Sequence, residues 1–100
     1  PADPSNQAFL GAIYARTGDS LRAREISDAL GNLEEPYLFG EPTYGRARIA
    51  ALLGEKDEAV RLLWQAVGEG VSFGVGLHAD PDLEPLLDFP PFLEFIRPKG

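Results

Sequence analysis

The sequence contains no cysteine and no methionine, and only one histidine among its 100 residues. The absence of cysteine excludes disulfides, thiolate metal sites and a cysteine nucleophile. The histidine, His78, has no second imidazole as a partner, and the nearby Asp80 and Asp82 are better explained as charges favoured at the start of a helix. We therefore expect no catalytic residue, no metal site and no cofactor, and the sequence gives no support to an enzyme.

Basic residues are scarce in the second half of the chain. The net charge is −7, and no lysine or arginine lies between Arg61 and Arg97, where Glu69, Asp80, Asp82, Glu84, Asp88 and Glu94 all fall. A surface of this sign repels phosphate backbones and anionic lipids. Nucleic acid and membranes are therefore not expected as partners, and a basic protein or peptide suits the chain better.

Long hydrophobic runs are missing as well. No apolar run approaches the ~18–20 residues that cross a bilayer, and no signal-peptide pattern is present, so membrane insertion is not expected. The glycines between residues 68 and 76 lack the Lys-Ser/Thr pair and the preceding strand of a phosphate-binding loop. The compartment stays open, because a soluble chain without cysteine suits the cytoplasm and export equally.

The residues that are present indicate one small helical domain. The composition is 44% hydrophobic and 25% charged, which is ordinary for a globular protein. Gly18 and Gly54 each end an alanine-containing periodic segment, and Asp3 and Asp19 are expected to cap the first and second helices. The pattern predicts a first hairpin at 4–31, a connector at 32–40, a second hairpin at 41–68, and a loop and C-terminal cap at 69–100.

The C-terminal cap is predicted to consist of two short helices. Asp80 and Pro81 begin one that reaches about Leu87, and Pro90-Pro91 begins another. The cap is expected to cover the end of the second hairpin with Leu83, Leu86, Leu87, Phe89 and Phe92. Trp64 is expected to pack beneath the cap or the preceding loop, rather than to serve as a ligand platform.

The two hairpins repeat each other. Gly18 and Gly54 are 36 residues apart, and the same offset relates Ile13 to Ile49, Ala15 to Ala51 and Ala23 to Ala59. Small residues, among them Gly11, Ala23, Ala47 and Ala59, are expected to let the two helices of a hairpin approach closely. This period and this order of small residues resemble the tetratricopeptide-repeat (TPR) family.

The resemblance implies a specific fold. It is an all-α, TPR-type α-solenoid fragment of two helix-turn-helix hairpins plus a C-terminal helical cap. Residues 76–100 also resemble the C-terminal end of TPR regions in multidomain bacterial sensor and signalling proteins, most closely at Asp80 to Leu86 and at Pro90-Pro91-Phe92. That likeness implies that Gly100 lies near a natural C terminus and that any catalytic part precedes this piece. Since the chain has no initiating methionine, we expect a fragment or a processed product.

The family resemblance also implies where a partner protein or peptide would bind. The first helix of each TPR hairpin lines a concave groove, and the matching positions here are Ser5, Ala8, Ala12 and Ala15, and then Glu41, Tyr44, Arg48 and Ala51. Arg16 is expected at the edge. The partner-binding residues are thus predicted to be Glu41, Tyr44, Arg48, Ala12 and Arg16. The groove lacks the lysine and asparagine set of members that bind chaperone tails, so that ligand is not expected.

A structural role is the alternative function. TPR-type arrays usually need about three repeats, because each repeat buries its apolar face against a neighbour. The first hairpin leaves Phe9, Ile13, Leu21 and Ile26 without a preceding repeat, and a second copy could cover them. The chain would then be a self-assembling homo-oligomer, either a closed head-to-head dimer or an open head-to-tail stack that gives a filament. In the stack, the acidic cap would meet Arg16, Arg22 or Arg24 of the next copy.

Overall fold

A computed structural model describes residues 4–32, 41–71 and 80–96. Its elements are helices α1 (Pro4–Arg16), α2 (Ser20–Gly31), α3 (Glu41–Leu52) and α4 (Lys56–Gly68), a 3₁₀ helix (Pro81–Leu86) and helix α5 (Pro90–Ile96). Over these ranges all regular structure is helical and no strand occurs, which confirms the all-α prediction. Asp3, predicted to cap α1, and His78 lie outside the described residues, as does most of the connector.

The turns inside the two hairpins have the same backbone shape. Gly18 and Gly54 have φ of 89° and 84°, which places both in the left-handed region that glycine adopts without steric cost. Each turn closes with two hydrogen bonds at the same relative positions, Gly18 N to Ala15 O (3.3 Å) and Asp19 N to Tyr14 O (2.8 Å), then Gly54 N to Ala51 O (3.1 Å) and Glu55 N to Ala50 O (2.9 Å). These are Schellman motifs, which end a helix by satisfying its last carbonyls.

Helix α3 lies at the centre of the packing. It pairs with α4 as α1 pairs with α2, and it also contacts α1, α2 and the 3₁₀ helix. A Cβ atom on Gly45 would lie 2.6 Å from the Ala8 Cβ, and one on Gly11 would lie 2.5 Å from the Ile49 Cδ1. Both glycines therefore allow α1 to approach α3. Gly11 was expected to allow close approach within its own hairpin, and a Cβ there would also lie 3.1 Å from the Ile26 Cγ2 of α2, so Gly11 faces both neighbouring helices.

The buried side chains form two clusters. The first joins the hairpins through Ala8, Ala15, Ala23, Leu30 and Ile49. The second joins α3 and α4 to the cap, and its large members are Val60, Leu62, Leu63, Leu83, Leu86, Phe92 and Phe95. The prediction that the cap covers the end of the second hairpin is therefore confirmed for Leu83, Leu86 and Phe92, and Phe89 packs against the same cluster from a partly buried position.

One expectation about the cap was wrong. Leu87 is 45% exposed, because side chains three residues apart align on a 3₁₀ helix and Leu83 and Leu86 occupy the buried side. Trp64 packs edge-on against Phe95 of the cap, with ring centroids 4.8 Å apart, and stays 46% exposed. Most of the preceding loop, the other expected neighbour of Trp64, lies outside the described residues.

The positive φ of Gly54 gives a testable prediction. No atom lies within 4 Å of a Cβ built there, so Gly54→Ala tests the backbone conformation alone. We expect this substitution to lower the free energy of unfolding by about 1–2 kcal/mol in urea denaturation. Gly68→Ala is the control, since it is helical and also has open space around its Cβ. It should be neutral or stabilising, and equal losses at both sites would contradict the explanation.

A second prediction concerns the cap. Phe92 is fully buried, so Phe92→Ala should lower the free energy of unfolding by about 3–5 kcal/mol, a large part of the ~5–15 kcal/mol typical of a domain. Leu93→Ala, at a neighbouring position that is 46% exposed, should stay within about 0.5 kcal/mol of the wild type. Thermal and urea unfolding measure both. If Phe92→Ala were as stable as Leu93→Ala, the cap would not be docked as described.

Candidate functional site

Two of the residues predicted to bind a partner meet the cap instead. Tyr44 and Arg48 are one turn apart on α3, and both donate to the same oxygen of Asp80. The Tyr44 hydroxyl lies 2.6 Å from Asp80 Oδ2, and Arg48 Nε lies 2.9 Å from it. The other carboxylate oxygen accepts the backbone N–H of Asp82 at 2.9 Å and caps the 3₁₀ helix. The Asp80 carboxylate therefore joins α3 to the cap.

Tyr44, Arg48, Asp80 and Asp82 form a group that we call the Asp80 cluster, and Arg16 extends it to the first hairpin. Its guanidinium forms an ion pair with Asp82, the second residue of the 3₁₀ helix, across a separation of 66 residues. The Arg48 guanidinium carbon also lies 4.5 Å from the centroid of the Tyr44 ring, a cation–π contact. Side chains from α1, α3 and the cap thus meet, with Asp80 largely buried and Arg16 about half exposed.

The cluster has a fixed charge state near neutral pH. Burial alone would raise the pKa of Asp80, but hydrogen bonds from Tyr44, the Asp82 N–H and Arg48 outweigh it and hold that pKa below its usual range. Burial, together with the Asp80 carboxylate, raises the pKa of Tyr44, which therefore stays protonated as a donor. Burial lowers the pKa of Arg48, but the hydrogen bond and charge of Asp80, together with Tyr44 and Asp82, outweigh it and raise that pKa above its usual value. These three side chains hold the cap against α3, and none of them exchanges a proton near pH 7.

The other predicted groove positions do not form a surface. Ala12 is only 3% exposed, and Ala8, Ala15 and Ala51 are buried as well, so the prediction that they line a groove was wrong. The physical reason is spacing: residues 8, 12 and 15 lie on the single face of α1 that packs towards α2 and α3. The side chains of Ser5 and Glu41 lie outside the part of the chain that the structure describes.

The residues predicted for self-association are divided in the structure. Phe9 is 67% exposed, and Ile13 and Leu10 on α1 are also exposed, as is Leu21 on α2 at 71%. We call the three on α1, Phe9, Leu10 and Ile13, the open face. Leu10 was not predicted to be exposed; its place three residues before Ile13 and one after Phe9 was the available signal.

Arg22 and Arg24, in contrast, have partners within the chain. Arg22 forms an ion pair with Asp19 at 3.6 Å and lies over the Tyr14 ring, 5.6 Å from its centroid. Arg24 pairs with Glu55, which starts the fourth helix. Neither arginine therefore presents an unpaired charge to an acidic neighbour.

A small cavity lies between α2, α3 and α4. Its volume is about 260 Å³, and its lining combines an apolar floor that includes Ile49 and Leu62 with charged groups of both signs. Arg46 Nε lies 3.4 Å from Ser27 Oγ at its edge. The sequence carried no signal for this cavity, because its lining depends on how three helices pack together. The mixed charges give it no clear preference for an anion or a cation.

A metal-binding group and a membrane-spanning helix are both missing from the described residues. In those ranges no group of three or more histidine, cysteine, aspartate or glutamate side chains is placed to hold a metal ion. None of the helices described is both long enough and apolar enough to cross a bilayer. These findings leave the Asp80 cluster and the open face as the two features to be explained.

The Asp80 cluster predicts a pH-dependent stability. Asp80→Asn keeps an equally good helix cap but removes the charge, so it should cost roughly 1.5–3 kcal/mol of unfolding free energy at pH 7. Because the folded pKa of Asp80 lies below the unfolded value of about 3.9, its contribution is complete above that value and is lost as the pH falls through the folded pKa. Urea denaturation from pH 7 to pH 2.5 measures this.

The matched control is Asp88→Asn. The Asp88 side chain is 88% exposed and lies 3.7 Å from Lys56, so its removal should change stability by less than about 0.5 kcal/mol at any pH. A wild-type advantage over Asp80→Asn that persisted unchanged at pH 2.5 would show that the carboxylate charge is not what joins the cap to α3.

Comparisons of the chain with models of known protein families, with curated proteins and with solved structures gave no match. The function therefore has to be argued from the geometry of the described residues.

Proposed function

We propose that this chain is a non-catalytic protein-interaction module, built as a TPR-type α-solenoid of two hairpins and a cap, and that it docks through the open face. The observation that carries the proposal is a group of large apolar side chains exposed together on a helix with a single charged residue. Phe9, Leu10 and Ile13 are exposed on a 13-residue helix whose only charged residue is Arg16, at its last position.

The solenoid part of the proposal is supported by the repeat in backbone geometry. The hairpin turns at Gly18 and Gly54 share their φ region and their hydrogen-bond pattern at an offset of 36 residues. Helix α3 packs on both α1 and α2, as expected when one hairpin stacks on the next. The cap then covers the far side of the second hairpin, the usual requirement for the last unit of an array.

The open face has the composition of an interface. The cores of protein interfaces are enriched in aromatic side chains and depleted in charged ones. A single exposed leucine, in contrast, is common on protein surfaces and does not indicate an interface. Here the large apolar residues occur together, since Phe9, Leu10 and Ile13 lie within four residues of each other on α1 and all are exposed. The chain is otherwise 25% charged, so an uncharged helix face is unusual within it.

The groove around Tyr44 and Arg48 is the less favoured docking surface. Asp80 already binds both side chains and is itself largely buried. A partner that used them would have to displace Asp80, which also caps the 3₁₀ helix and so positions Leu83 and Leu86 in the core. The cost of undocking the cap favours the open face as the site of a partner.

Photocrosslinking in the cells that produce the chain tests this function. A benzoylphenylalanine at position 9 should give covalent protein adducts several-fold more often than one at position 93, which is also apolar and exposed but belongs to the cap. Adding Ile13→Glu should abolish the adducts at position 9, because a buried unpaired charge opposes docking, whereas adding Leu87→Glu should not. Equal adducts at positions 9 and 93, or adducts indifferent to Ile13→Glu, would refute the proposal.

A further inference from the structure

We propose that the cavity between α2, α3 and α4 binds a free α-amino acid with an uncharged aliphatic side chain. The ligand carboxylate pairs with Arg46, its ammonium group pairs with Asp28, and its side chain lies on the apolar floor; all of these residues line the cavity. The site contains no residue of α1, so it is separate from the open face and does not depend on docking there.

Most of the charged groups in the lining already have a partner of opposite sign. Arg24 forms an ion pair with Glu55, and Glu58 forms one with an arginine one turn further along α4. Two charged residues of the lining remain, Arg46 and Asp28, and among the described residues neither forms an ion pair. The cavity therefore offers a ligand one positive and one negative group.

The Arg46 guanidinium is held in place by α2. Its Nε lies 3.4 Å from the Ser27 Oγ, and a Cβ on Gly31 would lie 2.8 Å from its Nη1, so the guanidinium packs directly over that glycine. Its two terminal amino groups have no hydrogen-bond acceptor in the part of the chain that the structure describes. Such a pair of amino groups binds both oxygens of a carboxylate at once.

The mixed charge of the lining defines the class of ligand. A simple anion would be repelled by Asp28 and a simple cation by Arg46, whereas a free amino acid carries both charges on neighbouring carbon atoms. Ile49 and Leu62 are each 1% exposed and supply an apolar floor for an aliphatic side chain. The lining that prefers neither an anion nor a cation thus suits a small zwitterion.

The size of the cavity limits the ligand further. Its volume of about 260 Å³ equals that of roughly nine water molecules at ~30 Å³ each, and leucine has a similar number of non-hydrogen atoms. A ligand of this size has few atoms to contribute, so we expect a dissociation constant of about 0.1–1 mM. Since α2 belongs to one hairpin and α3 and α4 to the other, the bound ligand should also stabilise their packing.

NMR titration of the isotope-labelled full chain with L-leucine tests binding. The signals of the Gly31 amide and the Arg46 Nε–H should shift and saturate below about 10 mM. Leucinamide, which lacks the carboxylate, and isocaproate, which lacks the ammonium group, should bind at least about tenfold more weakly, because each leaves one charge of the cavity unpaired. Shifts that do not saturate with L-leucine, or equal binding of either analogue, overturn the inference.

Substitutions in the lining test the residues. Arg46→Gln and Asp28→Asn should each weaken L-leucine binding at least about tenfold. Gly31→Ala keeps every charge and favours the helix, but its Cβ displaces the Arg46 guanidinium, so it should weaken binding as well. The matched control is Arg22→Gln, which removes an arginine of α2 outside the cavity and should change binding less than twofold.

The same NMR spectra show that each variant is folded. If folded Arg46→Gln and Gly31→Ala bind L-leucine as the wild type does, or if Arg22→Gln loses as much affinity as they do, the ligand does not pair with Arg46 and the inference is wrong.

Discussion

Helix α3 has to accommodate α1, α2, α4 and the 3₁₀ helix at once, and the rest of the structure depends on its small residues. A Cβ on Gly45 would lie 2.6 Å from the Ala8 Cβ, which is closer than packed carbon atoms approach. Ala47, Ala50 and Ala51 are buried on the side of α4 and the cap. The larger Ile49 enters the other cluster, between the hairpins. Helix α3 therefore contributes side chains to both hydrophobic clusters, so the positions of the two hairpins depend on each other.

The Asp80 cluster follows from the crowding around α3. With small residues on its packed sides, α3 carries Tyr44 and Arg48 one turn apart, where the cap arrives. A buried ion pair often adds little net stability, but it penalises every arrangement that leaves one partner unpaired. If the cap docked one residue out of register, Asp80 would be buried without a counter-charge and the partly buried Arg48 would lose its carboxylate partner. The cluster thus specifies where the cap lies, while Leu83, Phe92 and their neighbours supply the apolar burial that holds it.

Helix ends were predictable because their causes are local. Gly18 and Gly54 end helices through their own φ angles, and Asp80 caps the residue two positions after it, so neighbouring residues sufficed. The contacts of Asp80 with α3 were not predictable, since they join residues 32 and 36 apart. Ala12 was wrongly assigned to a groove because alanine suits a packed and an exposed helix face equally, and the resemblance alone chose the exposed one. The TPR assignment and the docking surface stay predictions.

The exposed apolar side chains of the cap and those of α1 have different charges beside them, and this difference bears on which of them a partner protein would contact. The exposed leucines of the cap, Leu87 and Leu93, stand next in sequence to Asp88 and Glu94, so any contact through them also desolvates carboxylates. Phe9 and Ile13 have no charged residue beside them in the sequence, and Arg16, the one charge of α1, pairs with the cap. In a chain with a net charge of −7, repulsion acts between any two copies but is weakest where charges are absent. Under the proposed function, this difference in charge favours the open face over the exposed leucines of the cap as the docking surface.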